Sequence, residues 1–75
     1  MATYYTIHDM SHPNSQSKRL VAICFAKEQA GECFRRILKN GYGMTYVILE
    51  RVETNEVGLI IGRSVLDESP VEGQY

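Results

Sequence analysis

Six apolar residues recur at helical spacing in the middle of the chain: Ala26, Ala30, Cys33, Phe34, Ile37 and Leu38. Steps of this size trace one buried face at 3.6 residues per turn. The six positions fall within an arc of roughly 140°. Glu28, Glu32, Arg35 and Lys39 take the opposite side. Acids lead and bases follow, as the helix dipole favours. Glu32 precedes Arg36 by four residues, the better order for an ion pair along a helix. Asn40-Gly41 then offers a residue that accepts the left-handed conformation just past the last turn. The pattern predicts a helix over residues 27–39. Gly31 inside it costs about 1 kcal/mol relative to alanine, and a close approach of the helix to a sheet would account for it.

The flanking segments read as strands. Residues 3–10 carry the β-favouring Tyr4, Tyr5, Thr6 and Ile7, with Tyr5 and Ile7 on one face and Tyr4, Thr6, His8 and Met10 on the other. Residues 11–17 have no apolar period and include Pro13, so they form a loop. Residues 19–25 contain the unbroken run Leu20-Val21-Ala22-Ile23-Cys24-Phe25. Such a run suits a central strand covered on both sides, although a longer helix from Ser17 competes because a short apolar run has no diagnostic period. The helical alternative puts Lys27 and Gly31 on the same stripe as Leu20 and Cys24, which weighs against it. After the connector Gly41-Tyr42-Gly43, residues 45–52 form a strand centred on Tyr46-Val47-Ile48-Leu49. Thr54, Asn55 and Glu56 make a turn, and residues 57–63 a last strand, so the two strands read as a hairpin. Val57, Leu59 and Ile61 would share one face of that strand, and Gly58, Ile60 and Gly62 the other. Two glycines on one side either admit a close neighbour or relieve twist at a bulge. Residues 64–75 contain Ser69-Pro70 and Gly73 and read as a loosely ordered tail. The resulting order is β-β-α-β-β. It predicts one α+β domain over residues 1–75: a two-layer sandwich of a four-stranded, mostly antiparallel sheet and one amphipathic helix. One helix covers part of one sheet face. The other face must be solvated or meet something.

At 75 residues the chain holds one small core. A domain of this size buries only about 60% of its unfolded surface, which favours a second copy or a tight partner. The longest apolar run is far short of the roughly 20 residues that span a bilayer. The first ten residues carry no Lys or Arg and include His8 and Asp9, unlike a signal peptide. The expected location is therefore the cytoplasm, with no membrane partner. Net charge is −1, but residues 18–39 carry +4 and residues 50–75 carry −4. Such a dipolar surface either steers a partner or simply solvates its own elements.

Candidate chemistry is sparse. Cys24 and Cys33 have neither C-x-x-C nor zinc-knuckle spacing and fall on apolar positions, where thiols behave as small hydrophobes. His8 and His12 would share a face on a helix, but here they straddle a strand end and a proline loop, so no metal site is expected. No phosphate-binding, dinucleotide-binding or nucleophile-elbow motif occurs. Glu50, Glu53 and Glu56 lie three apart on a strand and turn and do not converge as an acid/base pair. The sequence therefore predicts a non-enzyme without a cofactor. Arg35, Arg36 and Lys39 cluster at the helix end, with Tyr42 just beyond and Lys27 at the start. A basic helix with a stacking aromatic suits a nucleic-acid backbone, but the negative net charge and the interleaved Glu28 and Glu32 oppose it.

The element order, the size and the strand Thr45-Tyr46-Val47-Ile48-Leu49 together resemble the small phage-encoded anti-CRISPR proteins. The likeness spans residues 18–63. It implies a phage-derived inhibitor that blocks a host defence complex, such as a CRISPR effector, by surface contact inside a bacterial cell, with no catalytic residue and no cofactor. The group shares no binding motif, so no residue role transfers. Contact residues are chosen instead because exposed Tyr and Arg dominate interface energies: Tyr4, Arg35, Arg36, Lys39, Tyr42 and Arg63. The alternatives are a nucleic-acid-binding module using the helix bases, and an accessory protein that forms a homodimer through the uncovered sheet face.

Overall fold

The computed structural model describes residues 2–72. It is an α+β sandwich with β1 (Ala2–Met10), β2 (Lys18–Cys24), α1 (Lys27–Asn40), β3 (Tyr46–Thr54) and β4 (Ile60–Pro70). The single antiparallel sheet has the order β2-β1-β3-β4. β1 therefore pairs on both sides, with Ile7 opposite Ala22 on β2 and Leu49 on β3. The expected fold class and element order are both present.

The period-two pattern of β1 and β3 divides their side chains between two faces. Tyr5, Ile7, Val47 and Leu49 point to the helix. There they join Cys24, Ala30, Phe34, Ile37 and Met44 in the main core. α1 lies over β1, β2 and β3. Its buried residues, Ala30, Phe34 and Ile37, repeat at steps of four and three. Cys33 and Leu38 pack at the margin, while Ala26 is the exposed N-cap. The helix ends where Gly41 takes φ 83° and donates its N–H to the Ile37 carbonyl at 2.8 Å. Glycine ends the helix at the position Asn40-Gly41 predicts, with a positive φ, but its ψ of −54° makes a tight turn and not the left-handed helical conformation. No helix among the described residues is long and apolar enough to cross a membrane.

Four local expectations are corrected. The apolar run of residues 19–25 is an edge strand, with Leu20 50%, Ile23 49% and Phe25 78% exposed. The central strands are β1 and β3, because the chain returns from α1 to the far side of β1. The last strand begins at Ile60, not Val57, and continues to Pro70. Ser64 onward is thus paired with β3, and two register shifts, at Leu49/Glu50 and Glu53/Thr54, let the longer β4 follow it. The last three residues of the expected loose tail lie outside the described residues. Val57 and Gly58 belong to the connecting turn. There the Asn55 side chain accepts N–H bonds from Val57 and Leu59, both at 3.0 Å, and Gly58 sits at φ 89°. Finally, a Cβ on Gly31 would meet the Arg35 guanidinium at 3.2 Å. The nearest atoms belong to its own helix's arginine and not to the sheet, so no close approach of the sheet accounts for this glycine.

Candidate functional site

The face of the sheet away from α1 has no helix over it. Opposed residues of antiparallel strands share a face, so the register spells out this surface in rows. The first row runs Tyr4, Val52, Arg63. The second is Ile23, Thr6, Glu50, Val65. The third is Leu20, His8, Ile48, Glu68, and the fourth Lys18, Met10, Tyr46, Pro70. Phe25 flanks the first row, with its ring 6.5 Å from that of Tyr4. Met10, Tyr46 and Ile48 form a second, smaller buried cluster. Elsewhere on this face and at its margins Leu20, Ile23, Phe25, Ile60 and Val65 stand exposed.

At the centre of this apolar surface lies a charged cluster. The Glu50 side chain is only 5% exposed. Its Oε1 accepts a hydrogen bond from Lys18 Nζ at 2.7 Å, because the long Lys18 side chain crosses two rows to reach it. His8 Nδ1 lies 3.7 Å from the same oxygen, and Arg63 Nη1 3.7 Å from Oε2. Beside the cluster, Tyr46 donates its hydroxyl proton to Glu68 Oε1 at 2.6 Å, and this bond raises the phenol's pKa above its ordinary value. Two buried side-chain atoms on this face, Thr6 Oγ1 and His8 Nδ1, have no hydrogen-bond partner among the described residues.

Burial first, and then the Lys18 ammonium, push the His8 pKa below its ordinary value of 6.5. Glu50 pulls it partly back, and Arg63 adds a smaller downward push. The folded environment therefore resists a proton that the unfolded chain accepts. His8's contribution to stability is complete above about pH 6.5 and declines as pH falls below that value toward the lowered folded pKa. In a series of melting temperatures between about pH 7.5 and 5, the wild type should lose stability on the acid side. His8→Gln should flatten that slope. An identical slope in both proteins would assign the acid sensitivity to other groups.

The structure separates the expected contact residues into two sets. Tyr4 and Arg63 belong to the open face. Arg35, Arg36 and Lys39 are exposed on α1, on the other side of the sheet. Tyr42 is 59% exposed just past the helix, where its hydroxyl accepts a bond from Asn40 Nδ2 at 3.2 Å. Among the described residues no ion pair involves a helix side chain, so the expected Glu32–Arg36 pair is not formed. A groove of about 640 Å³ runs on the helix side between α1 and β4, lined by Phe34, Gly31, Leu49 and Leu66. It exists because one helix cannot cover all four strands. No group of three His, Cys, Asp or Glu residues among the described residues could hold a metal ion. His12, on the loop, places Nδ1 2.9 Å from the Pro13 carbonyl. Cys24 and Cys33 are free thiols. Burial raises the Cys24 pKa above 9.0, and the adjoining Cys33 adds to the rise, which disfavours a reactive thiolate.

The central cluster was not anticipated from sequence. Its signal was Glu50 at an even position of β3 between Ile48 and Val52, the one charge on an otherwise apolar strand face. Parity shows that Glu50 needs a partner. The partners themselves come from a loop-separated edge strand and from β4, at separations of 32 and 13 residues, which only the sheet order reveals. No family model, no curated protein and no solved structure matches this chain.

Proposed function

We propose that this chain is a non-enzymatic binding protein that acts by covering a surface of a partner protein, with the β3–β4 hairpin as its contact element. One observation carries the reading. Val57, Leu59, Ile60 and Ile61 are 78%, 64%, 48% and 55% exposed on that hairpin. They form a run of large apolar side chains that none of the other described residues covers. Soluble proteins keep such patches small unless a partner covers them. Asn55 fixes the turn with two side-chain hydrogen bonds, so the tip is presented in one shape and little ordering entropy opposes docking. The resemblance to phage-encoded inhibitors supports the same mode of action, inhibition of a larger host complex by contact. The basic helix residues Arg35, Arg36 and Lys39 are the alternative contact surface, for nucleic acid.

The test is capture by immobilised chain from nuclease-treated bacterial lysate at moderate salt. A stoichiometric protein partner is expected, retained by Arg35→Ala and Arg36→Ala and lost with Val57→Lys or Leu59→Lys. Absence of any stoichiometric partner would count against the reading. So would binding that requires nucleic acid and falls steeply with salt.

A further inference from the structure

We infer that the open sheet face is a self-association surface, on which a second copy of this chain packs sheet against sheet.

The argument begins at the sheet edges. Among the described residues the outer edges of β2 and β4 are unpaired, and strand addition there is the simplest way for a sheet to recruit another chain. Both edges are blunted. β2 opens with Lys18-Arg19, and its register with β1 shifts at Ile7/His8. β4 has two register shifts and carries Asp67, Glu68 and Pro70. Charges, proline and bulges are the features by which natural sheets avoid edge pairing. The apolar surface left for association lies on the face.

The face also suits a copy of itself. Its charged side chains are Lys18 and Arg63 against Glu50 and Glu68, so it is neutral and carries both signs. Two like faces then meet without net repulsion, as an isologous contact requires. By contrast, α1 carries four bases and two acids, and a partner of one charge sign would choose that side. Leu20, Ile23, Phe25 and Val65, all 49% exposed or more, surround the cluster.

The area is adequate. Strands of nine residues are about 30 Å long, and four of them side by side are about 19 Å wide, or roughly 570 Å² in projection. Side-chain relief, with Phe25 and Ile60 at the margins, brings this to the lower end of the roughly 600–1,000 Å² per partner of a standard interface. Area alone does not set affinity, so the concentration range over which association is sought must be wide.

The mass of the purified chain should be followed by sedimentation equilibrium from about 1 to about 500 µM. The expected result is a rise from the 8.5 kDa of one chain to twice that mass. Ile23→Lys and Val65→Lys alter half-exposed positions and should each weaken the dimer by about tenfold or more. Circular dichroism should show that both remain folded. Val57→Lys, on the hairpin tip, and Arg36→Ala, on the helix, should leave the dimer intact, which separates this inference from the proposed hairpin contact. A readout free of mutations is acetylation of the Lys18 amine, which should slow over the concentration range where the mass doubles. The inference is overturned by the mass of a single chain throughout. It is equally overturned by a dimer indifferent to both face variants, by one lost with Val57→Lys, or by a doubled mass with unchanged Lys18 labelling.

Discussion

Phe34→Ala is expected to lower the unfolding free energy by about 3 kcal/mol, the lower end of the range for removing a buried aromatic ring. The reason lies in the economy of the fold. A single helix covers the sheet, and Ala30, Phe34 and Ile37 are its only buried residues. Phe34 is the largest of them and only 3% exposed. It also forms one wall of the groove beside β4, so Leu66 or water can partly fill the vacated space, and this moderates the cost. Chains of this length are typically stable by about 4–11 kcal/mol, so the loss would be a large share of the total. Urea unfolding monitored by circular dichroism would measure it as a fall in midpoint at unchanged m-value. Arg35→Ala, one residue along on the exposed side, should stay within about 0.5 kcal/mol of wild type. Equal effects from the two variants would refute the assignment of the helix's buried face.

That buried face was legible because it depends on local spacing alone. Ala30, Phe34 and Ile37 recur at helical steps, and Gly41 marks the stop, whatever the rest of the chain does. The alternation of Tyr5 and Ile7 against Thr6 and His8 likewise gave β1 and its two faces. What could not be read locally was the order of strands in the sheet. Leu20 to Phe25 has the composition of a central strand, yet it lies at an edge, because pairing of β1 with β3 is a long-range choice. The same choice brings His8, Lys18, Glu50 and Arg63 together from four different strands. Composition also misled at Ser64 to Pro70. Its Ser, Asp, Glu and Pro residues suit a tail, but an edge strand exposed on both faces tolerates polar residues that an interior strand would not. The exposed bases of α1 were correctly located by the helical pattern, although the sequence did not indicate that they form no ion pair.

Lys18→Met is expected to destabilise the fold by about 2 kcal/mol, whereas Glu50→Leu should be close to neutral. Removing the lysine strands a carboxylate that is 5% exposed, with Arg63 and His8 no nearer than 3.7 Å. Breaking a buried pair in this way costs about 3–5 kcal/mol. Lys18 itself is 35% exposed, so solvent already screens part of the interaction and the expected cost is reduced. Removing the acid is different. Lys18 and Arg63 can extend their charged ends into water, and a leucine would pack between Ile48 and Val52, its neighbours on the strand. The double variant should recover most of the loss from Lys18→Met, and a double-mutant cycle on urea midpoints measures that coupling directly. A Glu50→Leu variant as unstable as Lys18→Met would contradict this account of the cluster. Near-neutrality would mean that folding does not require the carboxylate. Its role is then to draw the Lys18 side chain diagonally across the open face, next to His8 and within reach of anything that docks there. Carried to association, the same logic predicts a second asymmetry. Glu50→Leu should leave the fold intact and still alter the dimerisation constant, because it changes the charge balance of the face and releases Lys18 without opening the core.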